Sequence, residues 1–244
     1  MENKIYVVGI GPGDYRQMTI EAAEVLRACD VIVGYKTYIN LIKEHFAGKE
    51  FLETPMRGEV ERCHMAFAKA QEGKRVAMIS SGDAGIYGMS GLMYEIRQEY
   101  PGIKVEVIAG VTAASSGAAL LGAPLIHDFT VISLSDLLTP WEVIENRLVK
   151  AAEGDFGIVL YNPSSHKRAD YLERACDILA QRLPLDRVCG YVKNIGREQT
   201  QIHICTLQEL RNSRVDMFTT VFVGNSQTKN IDGKMVTPRG YRIS

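Results

Sequence analysis

The stretch Ser80-Ser81-Gly82-Asp83-Ala84-Gly85-Ile86-Tyr87-Gly88 limits the fold more than any other part of the chain. It follows Val76-Ala77-Met78-Ile79, a short apolar run that reads as a buried strand. It precedes a helical pattern through Leu92 and Ile96. Glycines at 82, 85 and 88, at the carboxyl end of a parallel strand, describe a backbone that approaches something closely. Two readings stand. The stretch is a tight strand-to-helix turn with Asp83 bonded to local amides, or it is one wall of a binding site. Three similarly punctuated stretches favour a site: Gly9-Ile10-Gly11-Pro12-Gly13-Asp14, Gly110-Val111-Thr112-Ala113-Ala114 and Tyr161-Asn162-Pro163-Ser164-Ser165. In an open α/β sheet, loops at the carboxyl ends of strands converge on one crevice.

The rest of the chain supplies the strands and helices such a sheet needs. Ile5-Tyr6-Val7-Val8 is a strand, but the loop after it is not the dinucleotide fingerprint, because Pro12 removes a donor before the last glycine. Thr19 caps a helix to Cys29 whose stripe is Ala22, Val25, Leu26 and Cys29. Val31-Ile32-Val33 is a strand running into Gly34-Tyr35-Lys36-Thr37-Tyr38, and a short helix to Phe46 follows. Glu59 to Gln71 is a helix with Val60, Cys63, Phe67 and Ala70 on one side; His64 beside that stripe reads as a boundary residue. Ile103, Val105 and Val107 alternate as a strand running into Gly110, and Thr112 caps a small-residue helix through Leu121. Five strand–helix units in the first 120 residues predict a mostly parallel sheet. Gly122-Ala123-Pro124 is the expected boundary between an N-terminal α/β domain, 1–121, and a C-terminal α/β domain, 122–244. In the second half, strands are expected at 129–132, 156–161, 188–192 and 218–223, with helices begun after Pro140 and marked by Leu172, Cys176 and Leu179. A mixed sheet is expected there, and the tail from Asp232 reads as a hairpin or an ordered arm.

Composition narrows the function classes. Of 244 residues, 46% are apolar, enough for a proper core. The 28 basic and 29 acidic side chains leave a formal charge of −1, which offers no general attraction to nucleic acid or an anionic membrane. No run of 18 apolar residues suggests a membrane span. The first strand begins near Met1, so no signal peptide is expected. Cys29, Cys63, Cys176, Cys189 and Cys205 are scattered, which fits reduced thiols in a cytoplasmic protein and gives no zinc or iron–sulfur spacing.

The glycine motifs, together with Gly122-Ala123-Pro124-Leu125-Ile126-His127-Asp128-Phe129, Ser135-Asp136-Leu137-Leu138-Thr139-Pro140-Trp141 and Thr237-Pro238-Arg239-Gly240-Tyr241, carry a resemblance along essentially the whole chain. The sequence resembles the tetrapyrrole methylases, and within them the ring-contracting C17-methyltransferases of cobalamin synthesis that act on precorrin-3B or cobalt-factor III. The Tyr35-Lys36 motif, the Asp83 loop and the 135–141 motif are the more specific ones. The resemblance implies two α/β domains with a cleft between them, a homodimer, S-adenosylmethionine as methyl donor, and an acidic tetrapyrrole as acceptor. It also implies the short form, without an iron–sulfur extension.

By that resemblance, Pro12, Ser81, Gly82, Asp83, Ile86, Thr112, Ala113, Asn162 and Ile195 or Gly196 match donor-contacting positions, and Gly82 is expected where the donor comes closest. Asp14, Tyr35, Lys36 and Ser135 are expected to bind the macrocycle. Asp83 either offsets positive charge on the donor or only organises its loop; Tyr35 and Tyr38 either stack on the ring or pack in the core. Lys36, Arg57, Arg62, Lys167, Arg168, Lys193, Arg197 and Arg239 are the cations from which carboxylate partners would come, and Lys36 ranks first. Ring contraction needs a proton moved, and His127, Asp128 and Asp136 are the catalytic candidates. His127 either titrates or fixes the Asp128 loop. The competing readings are a methylase of the same architecture acting on uroporphyrinogen, another precorrin or RNA, and a nucleotide-binding regulatory protein.

Overall fold

Apolar side chains alternate along the central strands, yet both alternating sets are buried, so helices must cover both sheet faces. The computed structural model describes residues 3–165 and 168–242 and shows this arrangement. Lys167 lies outside the described residues. The chain packs as two units, Met1–Ala113 and Ala114–Ser244.

The first unit holds β1 (Lys4–Gly9), α1 (Ile20–Ala28), β2 (Val31–Tyr35), α2 (Lys36–Ile42), β3 (Glu50–Thr54), α3 (Glu59–Gln71), β4 (Val76–Ser80), α4 (Ser90–Ile96) and β5 (Lys104–Ile108). The five strands form one sheet in the order β3-β2-β4-β1-β5, and every pairing is parallel. Ile5, Val7, Val76 and Met78 face α3 and α4. Val8, Ala77 and Ile79 face α1 and α2. From β1 the chain crosses to β2, beyond β4; from β4 it crosses to β5, on the far side of β1. The β1–β4 pair is therefore the point where the connections diverge, and a crevice opens at its carboxyl ends.

The Thr19 cap is present: its hydroxyl accepts from Ala22 N at 3.1 Å. Helix α3 has the expected limits, but Val60 is 53% exposed while Cys63, Phe67 and Ala70 are fully buried. His64 is half-buried and its Nδ1 lies 2.8 Å from the Tyr100 hydroxyl, as suits a boundary residue. No strand was expected at Glu50–Thr54; β3 pairs only with β2, and such an edge strand carries charges that hide its apolar pattern.

The second unit holds α5 (Ala113–Leu121), which starts at the division, then β6 (Gly122–Ala123), β7 (Phe129–Ser133), α6 (Trp141–Glu153), β8 (Gly157–Tyr161) and α7 (Tyr171–Ala180). β9 (Val188–Lys193), β10 (Gln201–Thr206), α8 (Leu207–Arg211), β11 (Thr219–Val223), β12 (Lys229–Ile231) and β13 (Lys234–Val236) complete it. Its main sheet, β10-β9-β11-β8-β7, is mixed: β7 and β8 are parallel and the other pairs antiparallel. The edge strand β10 and helix α8 left no clear sequence signal. The tail is a hairpin, turned at Asp232 and Gly233, both at positive φ. Its second strand, β13, pairs in parallel with β6 and buries Met235 completely.

Burial on α3 yields a contrast. Phe67→Ala, which removes a ring stacked 4.5 Å from Tyr100, should cost about 3–5 kcal/mol in urea denaturation. Val60→Ala on the same helix should stay within about 0.5 kcal/mol.

Candidate functional site

In the first unit, three loops meet at the carboxyl ends of β1, β4 and β5. Gly11 N donates to Gly82 O at 3.1 Å and Gly82 N to Gly11 O at 2.7 Å, a two-way bridge between the β1 and β4 loops. A Cβ on Gly9 would lie 2.7 Å from both Gly110 N and Gly82 O. One on Gly110 would lie 2.1 Å from Gly82 O. These backbones pack so closely that no side chain fits at either position. Gly82 is constrained in another way. Its Cβ position meets Thr112 Cα at an ordinary 3.7 Å, and glycine is needed there because φ is +68°.

Asp83 fixes the third loop. Its Oδ1 accepts from Gly85 N at 2.8 Å and its Oδ2 from Gly110 N at 2.9 Å. The carboxylate thus organises two loops at once. Pro12 is buried, Ser81, Thr112 and Ala113 are half-buried, and Ile86 is exposed on the same loop as Asp83. The structure therefore brings Pro12, Ser81, Gly82, Asp83, Thr112 and Ala113 to one sheet edge. Asp14 turns elsewhere: it caps the 3-10 turn Tyr15–Gln17 and pairs with Arg16 at 2.7 Å, whose hydrogen bonds hold its carboxyl below the usual value.

Tyr35 and Lys36 stand at the end of β2. Tyr35 packs edge-on against Tyr38 at 5.1 Å, and Lys36 Nζ lies 3.6 Å from Glu53 Oε1, largely exposed. Gly34 is forced by Ile79, whose Cγ1 would lie 2.5 Å from a Cβ.

In the second unit the expected residues fall at two ends of one strand. His127 and Asp128 precede β7, while Ser135 and Asp136 follow it. A strand of this length separates its ends by roughly 13 Å, so His127 and Asp128 stand apart from Asp136. His127 Nε2 donates to Pro238 O at 3.0 Å, in a segment also tied by Thr237 Oγ1 to Pro124 O at 2.7 Å and by Arg239 to Ile126 O at 2.9 Å. Asp128 is exposed. Asp136 accepts from Arg168 Nε at 2.5 Å and from the Tyr171 hydroxyl at 2.6 Å. Those bonds, Tyr171 first, hold its carboxyl below the usual range.

Asn162, at φ +53°, joins the loops after β7 and β8: its Nδ2 donates to Ser133 Oγ at 2.9 Å. Ser135 N donates to the same hydroxyl oxygen at 3.2 Å. Of the two alternatives after β9, the Ile195 side chain is buried beside the Gly117 position of α5, and Gly196, at φ +66°, is half-buried. Three contributors were missed. Arg168 was named only as a cation, although its spacing of three residues from Tyr171 could have marked a shared partner. Tyr171 itself was not singled out. The Tyr161 hydroxyl accepts from Ala114 N at 2.7 Å in the first turn of α5, a contact no spacing signals.

Among the described residues no group of three or more His, Cys, Asp or Glu could hold a metal ion. The cysteines are free, and burial pushes the Cys63, Cys176 and Cys205 thiols up to about 12. Thiols so far from ionising are poor nucleophiles. No helix among the described residues is long and apolar enough to cross a membrane.

Comparison with known proteins follows this geometry. The family model described as Tetrapyrrole (Corrin/Porphyrin) Methylases matches residues 4–211. The chain is 49% identical over 238 residues to a Salmonella typhimurium protein named "Probable cobalt-factor III C(17)-methyltransferase", covering 97% of this chain and 99% of that one. It is 44% identical to the cobalt-factor III methyltransferase of Priestia megaterium, a longer protein of which it spans 46%. The crystal structure of the methyltransferase CobJ superposes with a TM-score of 0.88 at 34% identity, over 96% of this chain and 99% of that one.

The loop junction and the Asp136 brace each yield an expected outcome. Gly110→Ala should destabilise the protein by about 3 kcal/mol or more in chemical denaturation, because backbone must move. Gly91→Ala, in α4 with open space around it, should stabilise by about 0.5–1 kcal/mol. The lowered Asp136 pKa contributes stability in full above the unfolded carboxyl's pKa of about 3.9, and that contribution is lost as pH falls through the folded value. Asp136→Asn should therefore be less stable than the wild type at neutral pH, with the gap closing in acid denaturation curves below about pH 4.

Proposed function

The chain belongs to the tetrapyrrole (corrin/porphyrin) methylases, and from that premise we propose that it methylates C17 of cobalt-factor III, or of precorrin-3B, using S-adenosylmethionine. Contraction of the macrocycle to the corrin-type ring is coupled to the transfer. The observation that supports this reading most is the 49% identity over nearly the full length of the Salmonella protein. Cobalt-factor III is preferred because both named relatives carry it in their names.

The residues at the first unit's sheet edge fit the methyl donor. The loops 9–13, 80–88 and 109–113 contain no cationic side chain, and Asp83 is their single carboxylate. A sulfonium meets no like charge there. Asp83 spends one hydrogen bond per oxygen on Gly85 and Gly110, and a carboxylate has lone pairs for more. When bound, the donor supplies an electrophilic methyl group whose sulfur leaves as a neutral thioether. Ser81, Gly82 and Asp83 would hold its polar head, with Pro12, Ile86, Thr112 and Ala113 against its less polar parts. Asn162 and Gly196, with Ile195 packed beneath, are the further donor contacts proposed in the second unit.

The protein's own contribution is alignment and electrostatic setting. The glycine bridge keeps the donor loops rigid. Tyr35, Lys36 and Ser135 are proposed to receive the acidic macrocycle; Asp14, already paired with Arg16, takes part through that exposed pair. We assign Asp136 to bracing the 135–140 loop, because both oxygens are committed and its lowered pKa makes it a weak base. His127 is assigned to fixing the segment before β7, with Asp128 exposed beside it. By the family resemblance the working form is a cytoplasmic homodimer, which sedimentation analysis checks.

The test is anaerobic incubation with methyl-labelled donor and each macrocycle, read by mass spectrometry. One labelled methyl on cobalt-factor III, with the ring-contracted product, is the expected result. Donor binding with neither macrocycle methylated would refute the reading. Lys36→Met should weaken macrocycle binding by about 0.2–1 kcal/mol, the range of an exposed ion pair, with donor affinity unchanged. Paired titrations at two salt concentrations separate that loss from loop collapse, which would weaken both ligands.

A further inference from the structure

Arg62 is a charged side chain that folding hides almost completely, at 3% exposure. Its Nε donates to Thr54 Oγ1 at 2.9 Å, Nη2 to Pro55 O at 3.3 Å and Nη1 to Met89 Sδ at 3.7 Å. All three acceptors are neutral. Among the described residues, no carboxylate lies within ion-pair distance of it. Glu59, the acid that acts on it most, instead accepts from Arg57 N at 3.3 Å. The guanidinium lies 6.0 Å from the Tyr35 ring centroid, and Tyr35 pairs in register with Thr54. Burial alone works against the charge and lowers the Arg62 pKa. A cation kept desolvated without a counter-charge is costly, and a stable protein retains one where something offsets that cost.

Arg62 is also the tie between three segments. Thr54 ends β3, Pro55 opens the loop to α3, and Met89 precedes α4. The covering loop holds Arg57 at φ +71°, with its side chain exposed, and Lys36 follows Tyr35 on the neighbouring strand. Lys36, Arg57 and Arg62 thus stand at the ends of β2 and β3 with two carboxylates, Glu53 3.6 Å from Lys36 Nζ and Glu59 accepting from Arg57 N, so Arg62 is the cation of the three that has no carboxylate bonded to its side chain or backbone among the described residues.

We infer that Arg62 is a positioning residue whose uncompensated charge, set beneath Tyr35, selects a carboxylate of the acidic macrocycle for this corner of the first unit. The inference rests on the methylase reading above. Through Thr54, Pro55 and Met89 the guanidinium holds the corner's shape; through its field it prefers an anion there. A purely structural tie would give the shape without the preference.

Fluorescence titration of the full chain with uroporphyrin III, an octacarboxylate, separates the two. Arg62→Met should weaken porphyrin binding about 10- to 100-fold at low salt while S-adenosylmethionine affinity stays within about twofold. The ratio should narrow at about 0.5 M NaCl. Arg62→Lys should recover most of the loss, since it restores charge without the planar fork. Thr54→Val, which removes a hydrogen bond but keeps the charge, should bind porphyrin within about threefold of wild type. If Arg62→Met does not fold, Arg62→Lys and Thr54→Val carry the test, and a tenfold loss in either overturns the inference. Wild-type affinity in folded Arg62→Met, or no recovery in Arg62→Lys, also overturns it. Wild-type protein that binds the donor but no porphyrin would overturn this corner as a carboxylate site, while methylation of cobalt-factor III or precorrin-3B decides the substrate reading on its own.

Discussion

The meeting of Gly9, Gly82 and Gly110 is the constraint on which the first unit's site depends. Three strands end side by side, and their loops turn back over one another with backbone atoms in direct contact. The reciprocal Gly11–Gly82 hydrogen bonds and the Asp83 carboxylate hold that contact in one register. Any side chain at Gly9 or Gly110 would force the loops apart. The loops lie at the divergence of the chain's connections, so their rigidity is placed where an open sheet presents its crevice.

Charges do the comparable work elsewhere. Asp136 ties the exposed 135–140 loop to Arg168 and Tyr171, and Trp141 lies under Arg174 at 3.9 Å. Arg62 ties the β2–β3 corner from within. The two devices differ in one respect. Asp136 has its counter-charge supplied by the chain, whereas Arg62, among the described residues, has only neutral acceptors. The first closes its own electrostatic account, and the second leaves a field for a ligand to meet.

Much of the fold was legible because burial on both faces of a parallel sheet demands continuous apolar runs. Val76–Ile79 and Val31–Val33 could be read directly, as could the 3.6-residue stripe of α3. The strands β3 and β10 could not, because edge strands bury only part of their surface and tolerate charges. Val60 shows the same limit within a helix: it continues the apolar stripe but points out of the packed face.

For the site, the sequence by itself determined which segments must be loops of close approach, since glycine and proline restrict backbone conformation locally. It marked Gly9–Asp14, Ser80–Gly88 and Gly110–Ala114 and named Asp83 among them. It did not determine which glycine is crowded and which merely needs a positive φ, because that depends on neighbours far away in sequence. Only the tertiary structure decided that Gly110 meets Gly82, that Asp136 is held by Arg168 and Tyr171, and that Arg62 is buried with no carboxylate within ion-pair distance among the described residues. Those facts are distances between segments, and local preference carries no information about them.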